Sequence, residues 1–292
     1  MEQVAIVGLG LMGGSLGLAV KAALPKVEVI GVARRDATAH LAIEMGAADR
    51  AGVDSELVAG ADLVVLACPL RATADVLAAV VPHLKKGARV TDVGSVKAWV
   101  VRRADKALDP ERNRFVGGHP MAGKEVTGIE NADPELFRGR PWVFTPRGPW
   151  SEREKKGFGD VIDIIRAIGA QPVFMSPEKH DRYVALVSHL PFLLSAAFLE
   201  AAAESKDWNA ASALASSGFR DISRLGAGDP EMYAAILEAN RDEVLGTYAG
   251  MHKALDEFEA AIARGDRELL LSLLRSAQQT RRSWAKDNPD RA

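Results

Sequence analysis

The first half of the chain alternates short, almost unbroken apolar runs with amphipathic stretches. The apolar runs are Val4-Ala5-Ile6-Val7, residues 27–32, Leu63-Val64-Val65-Leu66-Ala67-Cys68 and Arg89-Val90-Thr91-Asp92-Val93. Runs this short, without polar alternation, suit strands covered on both faces of a parallel sheet. Between them, residues 13–24, 38–45, 73–84 and 97–108 carry apolar side chains at helical spacing. The alternation predicts βαβ crossovers and a doubly wound α/β sheet. Two further short strands are expected at Trp142-Val143-Phe144-Thr145 and Pro172-Val173-Phe174, joined by a helix over residues 151–168.

After Ser176 the pattern changes to long apolar-periodic stretches with no strand signal. Helices are expected over residues 183–204, 210–225, 230–263 and 267–284. Gly226 and Gly228, then Gly265, separate them, with Asp229 and Asp266 placed to open the next helix and Pro230 at a first helical position. Pro191 falls inside a helical run, where it removes one backbone hydrogen bond and predicts a kink. The domains are therefore expected at residues 1–175 (α/β) and 176–292 (all-α). Ala196-Ala197, Ala201-Ala202-Ala203 and Ala210-Ala211 permit close helix approach. A homodimer through the helical domain is expected, against the alternative of a self-contained bundle.

Composition narrows the partners. A chain of 292 residues, 48% hydrophobic and 26% charged, is an ordinary two-domain globular protein, not a disordered, collagen-like or multi-span membrane chain. A formal net charge of -2 argues against nucleic acid as a partner. One cysteine, Cys68, precludes an intrachain disulfide and a multi-cysteine zinc site. No metal is expected, and the cysteine usage suits a reducing cytoplasm. Residues 3–20 carry no charge, which raises a signal-peptide or membrane-span reading. No positive charge precedes them and five glycines interrupt them, so no membrane partner is expected.

Gly8-Leu9-Gly10-Leu11-Met12-Gly13 follows a strand and opens a helix, which is the setting of a Rossmann-type dinucleotide fingerprint. Gly8 suits the tight turn, Gly10 the approach of a pyrophosphate, and Gly13 close packing of helix on sheet. The helix N-terminus offers free N–H groups and partial positive charge to the phosphates. The other reading is a glycine-rich turn without a ligand. At the end of the second strand, Ala33 stands where NAD sites usually place an acid, and Arg34 and Arg35 follow. Two guanidiniums suit a 2′-phosphate, so NADP is favoured and NAD is the alternative. A register slip would bring Asp36 to the ribose instead. Cys68 and Pro69, after the third apolar run, complete the expected cofactor-lining set with Leu11 and Met12.

Two further loops carry candidate chemistry: Asp92-Val93-Gly94-Ser95-Val96-Lys97, and Gly117-Gly118-His119-Pro120-Met121-Ala122-Gly123. Both are expected at the carboxyl ends of strands, where open α/β sheets bind ligands. There His119 would accept a proton from a substrate hydroxyl as hydride leaves the same carbon, and Ser95 would orient the imidazole or bridge to the hydroxyl. A lone structural histidine is the bland reading. His180 and His189 lie nine residues apart on one helix, so on a straight helix they face opposite sides. His40, His83 and His252 have no motif around them and read as surface or packing residues.

Gly94-Ser95-Val96-Lys97, Gly118-His119-Pro120-Met121-Ala122-Gly123, Val187-Ser188-His189-Leu190-Pro191 and Phe219-Arg220-Asp221-Ile222-Ser223-Arg224 occur in this order. In these motifs the chain resembles the prephenate and arogenate dehydrogenases of tyrosine biosynthesis, over nearly its whole length. The resemblance implies oxidative decarboxylation of a cyclohexadienol. It implies that His119 accepts the hydrogen bond of the ring hydroxyl with support from Ser95, and that Arg224 binds a substrate carboxylate. An ion pair of Arg224 with Asp221 or Asp229 is the alternative. By the same resemblance His189 and His180 line or brace the site.

Two positions depart from the family pattern. Lys124 replaces a small hydroxyl residue, giving either a second cation for the substrate carboxylates or a solvated charge. Phe192 replaces a histidine of many prephenate-specific members. With Arg34 and Arg35 this favours an NADP-using arogenate or dual-substrate enzyme. Two other classes compete: a two-domain NADP-dependent hydroxyacid dehydrogenase, and a non-catalytic NADP-binding sensor. The first would rely on a lysine near the start of the second domain, where Lys179 has the wrong surroundings. The second is disfavoured by the intact Ser95, His119 and Arg224. Residues 285–292 are too short for a regulatory domain, so any tyrosine feedback is expected at the active site itself.

Overall fold

The computed structural model describes residues 1–124, 126–148 and 152–289. The chain divides into two compact units, Met1–Arg241 and Asp242–Ala292. The first is built on one eight-stranded sheet of order β3-β2-β1-β4-β5-β6-β7-β8. Its strands are β1 (Gln3–Val7), β2 (Glu28–Val32), β3 (Arg50–Gly52), β4 (Leu63–Leu66), β5 (Arg89–Asp92), β6 (Arg114–Pro120), β7 (Pro141–Thr145) and β8 (Gln171–Phe174). The six strands β1–β6 run parallel, and β7 with β8 turns antiparallel to β6. β1 and β4 are buried at nearly every position, which is why they read as unbroken apolar runs.

Helices α1 (Leu11–Ala23), α2 (Asp36–Glu44), α3 (Thr73–Val80), α4 (Lys97–Ala107) and α5 (Glu152–Ala167) connect the strands. Two apolar clusters cover the sheet, one containing Leu16, Val20, Phe144 and Ile162, the other Leu77, Val80, Val100 and Ala104. Position 151 of the expected 151–168 helix lies outside the described residues. β3 and β6 were not apparent in the pattern. β3 is three residues long, and β6 has Gly117, Gly118 and Pro120 in place of apolar residues.

Beyond β8 the described residues hold no strand. α6 (Pro177–Val184), a π-helical turn (Ala185–His189) and α7 (Leu190–Ala203) form one long helix. Ser176 caps it by accepting from the Lys179 amide. The wide turn directly precedes Pro191, whose missing N–H would leave an α-helical carbonyl without its partner. By length and composition the span Pro177–Ala203 is apolar enough to cross a bilayer. It nevertheless buries His180, Asp181 and His189 in a polar network and leaves Leu186 and Val187 about 60% and 65% exposed.

The expected helix over 210–225 is broken into α8 (Trp208–Ser212), α9 (Ser217–Ser223) and a 3-10 turn, Arg224–Ala227. Ser216 interrupts it in extended conformation. The expected 230–263 helix breaks at Asn240 into α10 (Pro230–Ala239) and α11 (Arg241–Arg264). Asp229 caps α10 as its sequence predicts, accepting from the Glu231 and Met232 amides.

In the second unit, α11 and α12 (Arg267–Asp287) are joined by a turn in which Gly265 adopts φ +62°, and Asp266 caps α12 through the Leu269 amide. Val244 and Ala261 are buried there, while Leu245, Leu255, Ile262 and Leu274 are exposed. A helical pair with so small a core leaves its apolar face to be covered by something else.

Candidate active site

The glycine loop is shaped as its spacing predicts. Gly8 adopts φ +105°, and a Cβ there would lie 2.5 Å from the Ala67 carbonyl oxygen and 2.9 Å from the Cys68 nitrogen. Gly13 leaves no room for a Cβ against the Gly8 carbonyl, so α1 packs tight on the turn. Gly10 differs: a Cβ there meets nothing within 4 Å. Gly10 is the N-cap of α1, no side chain caps its N–H groups, and no acidic residue stands in the first turn. An open, uncapped helix start over an unobstructed glycine fits a pyrophosphate. Cys68 and Pro69 follow β4 beside this turn, and burial pushes the Cys68 thiol up to about 11.

Strand register fixes which residue follows β2 directly. β1 and β2 pair Val7 with Val32, and the Gly8 amide donates to the Val32 carbonyl (2.8 Å). The residue just past the strand is therefore Ala33, buried, with its amide on Gly52 (2.8 Å). Asp36 lies in the first turn of α2. Arg34 and Arg35 are exposed, and neither guanidinium has a protein partner among the described residues.

The second constellation centres on His119. It stands in β6 opposite Val143 of β7, not in a loop as its glycine and proline neighbours predict. The preceding peptide is clamped on both sides. Asp92 Oδ1, at the end of β5, accepts from the Gly118 amide (3.0 Å), and Lys97 Nζ donates to the Gly118 carbonyl (2.6 Å). Lys97 and Asp92 also pair with each other, both buried. Burial pushes the Lys97 ammonium toward its neutral form, and Asp92 and Asp181 oppose that. Gly118 admits no side chain, since a Cβ would lie 2.5 Å from the Asp92 carbonyl oxygen.

From His119 a relay runs into α6. His119 Nδ1 lies 2.8 Å from His180 Nε2, and His180 Nδ1 lies 2.8 Å from Asp181 Oδ1. Asp181 is held by the first amides of α4, Oδ1 accepting from Lys97 (2.7 Å) and Oδ2 from Ala98 (2.8 Å). This order assigns the protons. A carboxylate only accepts, so His180 carries its proton on Nδ1 and leaves Nε2 as an acceptor. His119 Nδ1 must then donate, which puts the His119 lone pair on Nε2. Burial holds His119 well below the usual histidine range, and the Lys97 ammonium adds to it. The result is a neutral imidazole with its proton-accepting nitrogen selected by the protein, the arrangement a general base requires.

The straight-helix expectation for His180 and His189 needs correction. Nine α-helical steps separate faces by roughly 180°, but a π-turn accommodates one extra residue and cuts this to roughly 80°. Both rings therefore join one network. Asn240 Nδ2 donates to the Asp181 carbonyl (2.8 Å) and lies 3.1 Å from His189 Nδ1. Burial lowers His189 to about 4.

Ser95 is half-buried in the bend between β5 and α4. Arg224 opens the 3-10 turn that docks on α7 through the Gly226 amide and Ser195 Oγ (2.8 Å), and it is exposed. Asp221 pairs with Arg220 (3.3 Å), and Asp229 caps α10. Lys124 pairs with Asp133 (2.9 Å) on the surface. Phe192 is buried and stacks on Tyr233 with ring centroids 3.3 Å apart. The pattern reading overlooked Asp92, Lys97, Asp181 and Asn240 as site residues. The traces they leave are a charge ending a buried strand, a His-Asp pair opening an apolar helix, and one polar residue where a long periodic run breaks.

A doubly wound sheet with an uncapped glycine turn, beside a buried histidine relay, defines a nicotinamide-nucleotide-dependent dehydrogenase. Comparison with known proteins places it further. The prephenate dehydrogenase nucleotide-binding domain matches residues 16–174, and the prephenate dehydrogenase dimerization domain matches residues 176–276. The chain is 31% identical to the prephenate dehydrogenase of Bacillus subtilis (strain 168) over 283 residues, which span 96% of this chain and 75% of that one. The crystal structure of Synechocystis arogenate dehydrogenase superposes with a TM-score of 0.81 at 33% identity, covering 97% of this chain and 99% of that one. The prephenate dehydrogenase from A. aeolicus, solved with hydroxyphenyl propionate and NAD+, gives 0.89 at 28%, covering 97% and 98%. The chain belongs to the prephenate dehydrogenase family and has the prephenate/arogenate dehydrogenase function of tyrosine biosynthesis. Its helical part is of the family's dimerisation type, which supports a homodimer.

Proposed function

We propose that His119 is the base of this oxidative decarboxylation, that Ser95 supports it, and that the preferred cofactor is NADP. The observation that carries the first claim is the His119–His180–Asp181 relay, which leaves Nε2 of His119 as a neutral acceptor. The bound oxidised nicotinamide supplies the hydride acceptor. As the carbon–hydrogen bond at the hydroxyl-bearing carbon breaks, the hydroxyl proton passes to His119 Nε2 and the oxygen becomes a carbonyl. The ring carboxylate leaves as carbon dioxide, and its bonding electrons move through the ring to that oxygen. The oxygen takes the proton back, and the ring is aromatic. His180 and Asp181 stabilise the imidazolium while it exists, since the Asp181 carboxylate faces the far end of the relay.

Arg224 is the proposed substrate contact, with His189 lining or bracing the site; His180, whose two ring nitrogens face His119 and Asp181, braces it from behind. A guanidinium suits a carboxylate through a forked pair of hydrogen bonds. Lys124, already paired with Asp133, is a weaker candidate for that work. Arg34 and Arg35, exposed and without protein partners among the described residues, with Ala33 in place of an acid, support NADP over NAD. Residues 1–175 would carry the cofactor, and residues 176–292 the substrate arginine and the dimer contacts. The buried Phe192, stacked on Tyr233, favours arogenate or dual-substrate use, because no imidazole stands at that position.

The test is an absorbance assay of cofactor reduction with prephenate and arogenate, each against NAD and NADP. Turnover is expected with NADP strongest. Turnover only with NAD would overturn the reading of Arg34 and Arg35, and silence in every pairing would overturn the proposed chemistry.

A further inference from the structure

Asn240 sits at the break between α10 and α11, with backbone angles of φ -110° and ψ 27°, and is buried. Its side chain is turned inward onto two groups. Nδ2 is 2.8 Å from the Asp181 main-chain carbonyl, which only accepts, so that atom must be the amide nitrogen. The same nitrogen is 3.1 Å from His189 Nδ1, and its second hydrogen is available there. A donor facing Nδ1 makes Nδ1 the lone-pair nitrogen. A neutral His189 must then carry its proton on Nε2. That Nε2 is buried and has no protein partner among the described residues.

We infer that Asn240 is a positioning residue for the reaction: it fixes His189 as a neutral imidazole protonated on Nε2 and ties the peptide of Asp181 in place behind the His119–His180 relay. Two consequences follow from the geometry. His189 stays uncharged, so it does not oppose the positive charge that forms on His119. The Asp181 backbone is held from the end of α10, while its carboxylate is held from α4, so the Asp181 end of the relay is fixed from two sides. The charged and titratable groups around His189 are Asp181 and His180 on α6 and His119 on β6, and none of them takes the place of the amide at its Nδ1. The inference rests on His119 acting as base, but its first test does not.

That test is nitrogen NMR of the histidine rings in the full-length protein. Wild type is expected to show His189 protonated on Nε2 and bare on Nδ1 at neutral pH. Protonation on Nδ1 would overturn the inference without any activity measurement. Asn240→Asp keeps the size but replaces the donor with an acceptor, so His189 is expected to move its proton to Nδ1 or to become charged. With whichever substrate and cofactor the enzyme turns over, kcat is expected to fall about tenfold or more, with the cofactor KM within about twofold of wild type. A tautomer change with unchanged kcat would overturn the functional half. If Asn240→Asp does not fold, Asn240→Ser, which keeps one donor, is expected to retain the wild-type tautomer and more activity than Asn240→Ala; equal loss in both would count against it. Absence of turnover in the wild type itself would instead strike at the reading of His119 and leave the tautomer result standing.

Discussion

Two glycines two residues apart are held for different reasons, and their alanine variants separate the fold from the cofactor. At Gly8 a methyl group would sit 2.5 Å from the Ala67 carbonyl oxygen and 2.6 Å from its carbon, all backbone atoms, at φ +105°. Relief requires the turn and β4 to part by roughly 0.7 Å, which forced overpacking prices at about 1–3 kcal/mol. The left-handed backbone adds about 1–3 kcal/mol for a residue with a Cβ. Gly8→Ala is therefore expected to lose about 2–6 kcal/mol, a fall in Tm of roughly 4–24 °C for a unit of this size. At Gly10 the φ is -91° and a Cβ meets nothing within 4 Å. Its alanine variant should unfold within about 1 kcal/mol of wild type, the cost of alanine for glycine at a helix N-cap. The same methyl would stand where a pyrophosphate approaches the uncapped amides of α1. Loss of one charge-assisted hydrogen bond, about 1.5–3 kcal/mol, weakens binding roughly 10- to 100-fold. Urea denaturation and fluorescence titration with NADPH read the two effects separately. Wild-type affinity in Gly10→Ala would refute the assignment of this loop to the phosphates, and a Gly8→Ala variant as stable as wild type would refute the packing argument.

Three other outcomes are expected. Arg34→Ala with Arg35→Ala should lower kcat/KM for NADP by about 10- to 100-fold per guanidinium that meets the 2′-phosphate and leave NAD little changed; equal losses with both cofactors would remove the basis for NADP preference. Asp181→Asn should reverse the proton order of the relay and cut kcat by about 10²–10⁴-fold with the fold intact by circular dichroism; a loss below threefold would show that the relay does not set the His119 tautomer. His189 is depressed to about 4, so it binds its proton in the unfolded chain but not in the native one below about pH 6.5. Its contribution is thus intact above pH 6.5 and is lost as pH falls toward 4, by about 3 kcal/mol. His189→Gln should show a shallower acid loss of urea stability than wild type, and parallel curves would contradict the assigned burial.

The fold was legible where local pattern and tertiary role coincide. β1, β4 and β5 are buried on both sides and read as apolar runs, and the turn at Gly8–Gly13 needs glycine for reasons the spacing displays. β6 was hidden because the requirement at Gly118 is closeness to Asp92, which removes the side chain that would have signalled a strand. His119 and Ser95 stood out through their motifs, but the groups that give His119 its tautomer did not. Asp181 and Asn240 lie 62 and 121 residues from it in sequence, and only the packing of α6 and α10 brings them near. The π-turn left no periodic trace either, since one added residue only shifts the phase of an apolar helix. The break at Asn240 shows the same limit, because apolar spacing continues through it while the side chain satisfies a buried carbonyl.

The role of His119 is tested most directly by the pH dependence of kcat/KM in the wild type and in His119→Asn, where the amide keeps an acceptor but cannot take a proton. Wild type is expected to lose activity on acidification only below the ordinary histidine value of 6.5, because the buried ring resists protonation. In His119→Asn that acid limb should vanish and the plateau should fall by about 10²–10⁴-fold. A variant within a few-fold of wild type, or one that keeps the same acid limb, would show that His119 is not the group that takes the proton.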